Sequence, residues 1–156
     1  MSRIELAIFI AAPIERCFDL ARDVEAHVAS TRGTEERVVG GRTTGHLELH
    51  DEVTWEAVHF GVRQRLTSRI TELARPTHFR DSMVRGAFER FDHDHFFTEG
   101  NGGTHCRDVF DYDAPLGLLG RIAERTFLDR YMRRFLETRL RLLKEMAEIT
   151  GSAPAG

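Results

Sequence analysis

The residues with the most chemical potential lie in short alternating runs. Phe91, His93, His95 and Phe97 occupy every second position of one run, with Asp92, Asp94 and Phe96 between them. In extended backbone both imidazoles then share a face with two phenyl rings, a half-buried setting. Over residues 53–60, Trp55, Ala57 and His59 share one face and Thr54, Glu56, Val58 and Phe60 the other. Over residues 79–84, Arg80 and Ser82 oppose Phe79, Asp81 and Met83. Imidazoles and carboxylates in an apolar hollow can move protons near neutral pH, or hold the polar end of a bound molecule. Alternation alone leaves open which face turns inward. On an antiparallel sheet, charged residues more often sit on the solvated face in cross-strand ion pairs.

Two histidines at i and i+2 on a strand can also chelate a transition metal, with His59 or Asp81 as a third ligand. A His-x-His pair alone falls short of the three or four ligands a closed site needs, and no nearby Cys or Glu completes it. A core or cavity role is the stronger reading, and no metal and no cofactor is expected.

Arg139 is the other anomaly. On a helical wheel it lies about 40° from Phe135, inside a stripe of Leu128, Met132, Leu142 and Met146. A buried guanidinium needs an anionic or carbonyl partner: Asp81, Glu56 or a ligand carboxylate. The plainer alternatives are a kinked helix or an arginine that snorkels past the sheet edge.

Nucleophilic catalysis has little support. Ser30, Ser68 and Ser82 lack a Gly-x-Ser-x-Gly elbow, and the adjacent His105 and Cys106 point to opposite faces of a strand. The run Gly40-Gly41-Arg42-Thr43-Thr44-Gly45 has no Gly-Lys-Ser/Thr, so it reads as a hairpin and not as a phosphate loop.

The elements that must position these residues follow from periodicity. Residues 4–10 read as a buried strand, Pro13 as the first turn of a helix carrying Ile14, Cys17, Phe18 and Ala21, and Asp23 as the cap of a second short helix to about Ser30. Six strands are predicted near 35–40, 45–60, 62–73, 77–88, 89–99 and 103–112, an antiparallel meander with a hairpin at Asn101-Gly102. A long amphipathic helix, about 118–149, carries Leu128, Tyr131, Met132, Phe135, Leu142, Leu143 and Met146 on one stripe. A curved sheet cannot bury its own concave face, and this helix is its natural cover.

Composition bounds the function class. The chain has 156 residues, 41% hydrophobic and 30% charged, with a formal net charge of −3. That suits one domain, residues 1–150 with a frayed tail 151–156. Lys144 is the single lysine among 22 basic residues, which codon bias alone can produce. The charge balance speaks against nucleic-acid binding, and no apolar run approaches the ~20 residues of a membrane span. The opening residues lack a signal peptide, and two lone cysteines fit a reducing cytoplasm.

The order strand, two short helices, six strands, long helix resembles the helix-grip arrangement. The opening Ile8-Phe9-Ile10-Ala11-Ala12-Pro13-Ile14-Glu15-Arg16-Cys17-Phe18 is similar to the usual start of the START/SRPBCC superfamily. The runs Asp51–Gly61, Phe79–Met83 and Phe91–Phe96 resemble a bacterial, ligand-binding, polyketide cyclase-like branch of it. The resemblance implies an α+β helix-grip fold with the ligand between the concave sheet and the C-terminal helix. It implies a binder or carrier of a small hydrophobic ligand (lipid, isoprenoid or aromatic polyketide-like). One rival is a cyclase/dehydratase-like enzyme using His93, His95 or Asp81 as acid or base. Another is a protein-interaction module such as a homodimer. The expected lining is Trp55, His59, Arg80, Asp81, His93, His95 and Arg139 as polar contacts, with Met83, Phe91, Phe97, Phe127, Tyr131 and Phe135 as apolar wall. No catalytic residue is assigned.

Overall fold

The computed structural model describes residues 1–31, 33–115 and 127–149. Among them the elements are β1 (Ser2–Ile10), α1 (Ile14–Ala21), α2 (Val24–Ser30), β2 (Arg37–Gly41), β3 (Glu52–His59), β4 (Val62–Ala74), β5 (His78–Arg85), β6 (Arg90–Gly100), β7 (Gly103–Asp113) and α3 (Asp129–Ile149). The predicted first turns of the last helix and the tail 151–156 lie outside the described residues.

The seven strands form one antiparallel sheet in the order β1-β7-β6-β5-β4-β3-β2. The six-strand meander is as expected, with β1 added to its far edge against β7, Ile4 opposite Phe110. The β6–β7 hairpin turns at Asn101 (φ 56°) and Gly102 (φ 77°), the paired left-handed conformation that suits the strands' twist. Register shifts between Thr67 and Ser68 and between Ile70 and Glu72 interrupt the β4–β5 ladder, and such bulges bend a sheet. Among the described residues no helix is long and apolar enough to cross a membrane.

The short helices cover one end. α1 buries Ile14, Cys17, Phe18 and Ala21, four residues on one helical face. Pro13 stands just before that helix, with ψ 147°, one position earlier than predicted. The Asp23 carboxylate accepts from Ala26 N at 2.8 Å and caps α2 as expected.

Two elements differ from their sequence pattern. The strand predicted over 45–60 begins only at Glu52. Leu47 instead turns into the core, tied to Arg22 by two hydrogen bonds (2.8 and 2.9 Å), and left-handed Gly45 and His50 break the extended run. On α3 the buried line is Met132, Leu136, Leu140, Leu143 and Ala147, rotated from the predicted stripe, so Leu142 and Met146 are only partly buried.

On the convex face Glu56 gathers three arginines: Arg65 at 2.8 Å, Arg37 at 2.5 Å and Arg63 at 3.1 Å. Hydrogen bonds from Arg65, Arg37 and Arg63 outweigh the effect of burial and bring the carboxyl down to about 2. A depressed folded-state value stabilises the fold above the ordinary glutamate range and loses that contribution as pH falls through about 2. The Tm of the parent protein should therefore fall further between pH 5 and pH 2 than that of Glu56→Gln, as circular dichroism melts will show.

Candidate functional site

A cavity of about 270 Å3 lies between the concave face of the sheet and α3. The inward positions of successive strands build its wall: Trp55, Ala57 and His59 from β3, Gln64, Leu66 and Ser68 from β4, Asp81 from β5, Phe91 and His93 from β6, and Phe110 from β7. α3 closes it with Tyr131, Met132, Phe135, Leu136 and Arg139, and α2 contributes His27. Most of this surface is apolar.

One side of the wall holds a buried polar network. His95 is doubly bonded, Nδ1–H donating to Asp108 Oδ1 and Nε2–H to Asp81 Oδ1, both at 3.1 Å. His93 packs on His95 with ring centroids 3.9 Å apart. Its Nδ1 lies 3.9 Å from Asp81 Oδ1, and its buried Nε2 has no hydrogen-bond partner among the described residues, with Asp108 Oδ2 at 3.5 Å.

The protonation states follow from these neighbours. Burial pulls the His95 imidazole down, but the Asp108 and Asp81 carboxylates prevail and push it up to about 9, so it is charged at neutral pH. Burial and the charge of His95 hold His93 below the ordinary histidine range, so it is neutral. Burial raises both aspartates, yet the histidine contacts outweigh it and hold Asp81 and Asp108 below the ordinary carboxylate range. The charged His95 ring stacks on Phe79 at 4.3 Å, a favourable cation–π arrangement.

A second polar pair lies across the cavity. His27 Nε2–H donates to Glu36 Oε1 at 2.6 Å, and the His27 ring stacks on Trp55 at 4.0 Å. Burial and the Arg139 charge lower His27, while burial of Glu36 is outweighed by His27 and Arg139, which hold the carboxyl low. At the mouth His59 Nδ1 and the Tyr131 hydroxyl share a hydrogen bond of 2.5 Å. Burial lowers His59 and raises Tyr131.

Arg139 stands apart from these pairs. It lines the cavity half-buried, its charge is felt by Asp81, Glu36 and His27, and it makes no ion pair or hydrogen bond among the described residues. Glu56 is out of its reach on the convex face, and Asp81 is engaged by His95.

Of the residues picked from sequence, Trp55, His59, Asp81, Phe91, His93, Tyr131, Phe135 and Arg139 do line the cavity. His95 lies one layer behind, on a smaller hollow shared with Asp108 and Arg139. Four others are elsewhere. Arg80 points outward, because Asp94 (2.9 Å) and Glu72 (3.0 Å) on the convex face satisfy its charge. Met83 packs against the core cluster around Phe91, Phe110 and Tyr112. Phe97 is buried under α1, edge-on to Phe18. Phe127 is 61% exposed and touches Phe60, itself on the cavity rim. Sequence reasoning missed Asp108, His27 and Glu36. Asp108 had a signal, since it alternates with Cys106, Phe110 and Tyr112 on the inward face of β7.

A curved antiparallel sheet gripping a long C-terminal helix over a cavity is the helix-grip fold of START-like proteins. The sequence signature of the polyketide cyclase / dehydrase and lipid transport family matches residues 10–137, and the chain belongs to that family. No curated protein sequence matches it. Among solved structures it is similar to TTHA0849 from Thermus thermophilus, with 22% identity, TM-score 0.79, and coverage of 97% of this chain and 100% of that one. It is also similar to the Zhui aromatase/cyclase from Streptomyces sp. R1128 (15%, TM-score 0.79, 99% and 98% covered). A START superfamily protein from Mycobacterium smegmatis is a third (13%, TM-score 0.73, 95% and 98%). These likenesses establish the fold.

Proposed function

We propose that the chain binds a compact, largely aromatic molecule bearing a carboxylate or an acidic carbonyl oxygen, held in the cavity with Arg139 at its anionic end. One observation carries this reading: a guanidinium with no ion pair or hydrogen bond among the described residues, on a largely apolar wall. A partly desolvated charge without a partner is costly, and a ligand anion supplies what the protein leaves out. Size narrows the ligand further. At about 270 Å3 the cavity is at the lower edge of the roughly 300–1,000 Å3 usual for small-molecule sites, which favours a fused-ring or short molecule over a long acyl chain.

Native mass spectrometry of untagged, freshly purified protein tests this. The expected result is a co-purified small acid, or a stoichiometric adduct with an added aromatic carboxylate and none with its carboxamide. Equal retention of acid and amide, or preference for a long-chain neutral lipid, overturns the reading. A cyclase- or dehydratase-like reaction is favoured by a single feature, the neutral His93 imidazole on the cavity wall beside two carboxylates. It requires turnover of a polyketide-type substrate that His93→Ala abolishes while binding persists.

A further inference from the structure

We propose that Asp81, His93 and His95 form a mononuclear site for a divalent first-row transition metal, with Asp108 orienting both imidazoles and the remaining coordination positions facing the cavity. One potential ligand atom from each of the three residues lies within 4.8 Å of the other two. His95 Nε2 is 3.1 Å and His93 Nδ1 3.9 Å from the same oxygen, Asp81 Oδ1. Ligands at 2.0–2.1 Å around a tetrahedral ion are separated by roughly 3.3 Å, so these spacings bracket what a bound ion needs.

The distal nitrogens make the stronger argument. The Asp108 carboxylate spans both rings, Oδ1 3.1 Å from His95 Nδ1 and Oδ2 3.5 Å from His93 Nε2. An acceptor there favours the proton on each distal nitrogen, so that once an incoming cation displaces the His95 Nε2 proton the lone pairs of His93 Nδ1 and His95 Nε2 converge on Asp81. That is the arrangement by which an outer carboxylate fixes the tautomer of metal-binding histidines. Lone pairs converging on a carboxylate oxygen repel unless a cation lies among them, and either a proton or a metal ion can fill that role. The 3.9 Å between His93 Nδ1 and Asp81 Oδ1 is beyond hydrogen-bonding range, so those two groups do not close the cluster on the cavity side. Asp81 and His93 both line the cavity, so the ion is open to water or to a bound ligand on that side. Two imidazoles and one carboxylate suit zinc or iron(II) better than calcium or magnesium, which prefer all-oxygen shells.

A second grouping, Glu72, His78 and Asp94, is geometrically similar but lies on the convex face. Both of its carboxylates already bind Arg80, which opposes a further cation. The metal proposal does not depend on the identity of the organic ligand, so its test needs metal alone.

Untagged protein, stripped with a chelator and dialysed, is titrated with Zn2+ by calorimetry and with Co2+ by visible absorption. One ion per chain is expected, with a Co2+ spectrum of a low-coordinate nitrogen–oxygen site. Stoichiometric binding should be lost in His93→Gln and Asp81→Asn, and weakened roughly 10–100-fold in Asp108→Asn. His78→Gln should leave it unchanged. Long-range 1H–15N spectra of the unaltered protein should show Zn2+ shifting the ring nitrogens of His93 and His95, a readout that holds even where a variant misfolds. Absence of stoichiometric binding to the unaltered protein overturns the proposal. So does binding that survives His93→Gln and disappears in His78→Gln.

Discussion

Replacing Arg139 with leucine should weaken binding of an aromatic carboxylate by about 100-fold, equivalent to about 2.8 kcal/mol, while the protein stays folded. The matched carboxamide should lose far less, so the preference for acid over amide collapses in the variant. Leucine removes a guanidinium that has no partner among the described residues, and an apolar side chain there is at home among Phe135, Leu136 and Met132. Thermal stability should therefore be kept or rise slightly. Arg139→Met is the gentler control, straight-chained and of similar reach. Calorimetric titration of the acid and amide against both variants checks the prediction, and equal acid affinity in all three proteins refutes it.

Phe18→Ala should be the most damaging single truncation in the core beneath α1. The Phe18 ring is fully buried and sits edge-on to Phe79 and Phe97, with centroids 5.5 Å from each. The Arg22 guanidinium lies over it at 5.2 Å, so the ring also supports the arginine that holds the 42–51 loop. Losing it costs the transfer energy of a phenyl group plus a cavity the sheet cannot refill, about 3–5 kcal/mol. Urea unfolding with a fluorescence readout measures this directly. Phe127→Ala is the contrast, expected within about 0.5 kcal/mol of the parent because that ring is largely in solvent.

That Phe91, His93, His95 and Phe97 share one partly buried face of β6 was legible from their strict alternation, whereas which face of the sheet it joins was not. The neighbouring pair Arg80 and Asp81 shows the limit of that signal. Adjacent residues necessarily face opposite ways, but only the carboxylates of Glu72 and Asp94 on neighbouring strands decide that the arginine goes out. Asp108 could have been found by the same alternation in β7. The His27–Glu36 pair could not, because it depends on how α2 meets the segment before β2, and no periodicity spans that junction. The anomaly of Arg139 was visible on the helical wheel. Its lack of a partner among the described residues was not, since that depends on which carboxylates the sheet had already engaged. The 45–60 segment misled for a related reason: the alternation of Leu47 and Leu49 mimics a strand, and tertiary docking of Leu47 overrides it.

The place of β1 in the sheet has a kinetic consequence. Ile10 pairs with Thr104 and Ser2 with Tyr112, so among the described residues the first strand's neighbour in the sheet is the last. Every hairpin of the meander can form from local chain, whereas this seam closes only once the whole intervening polypeptide is in place. Loop-closure entropy must be met before the β1–β7 ladder gives anything back. Late docking of β1 should thus limit the folding rate, and a nascent chain emerging from the ribosome carries the apolar Ile4, Leu6, Ile8 and Ile10 unpaired throughout synthesis of the rest. That interval, more than any weakness of the finished fold, is when the chain is most exposed to aggregation.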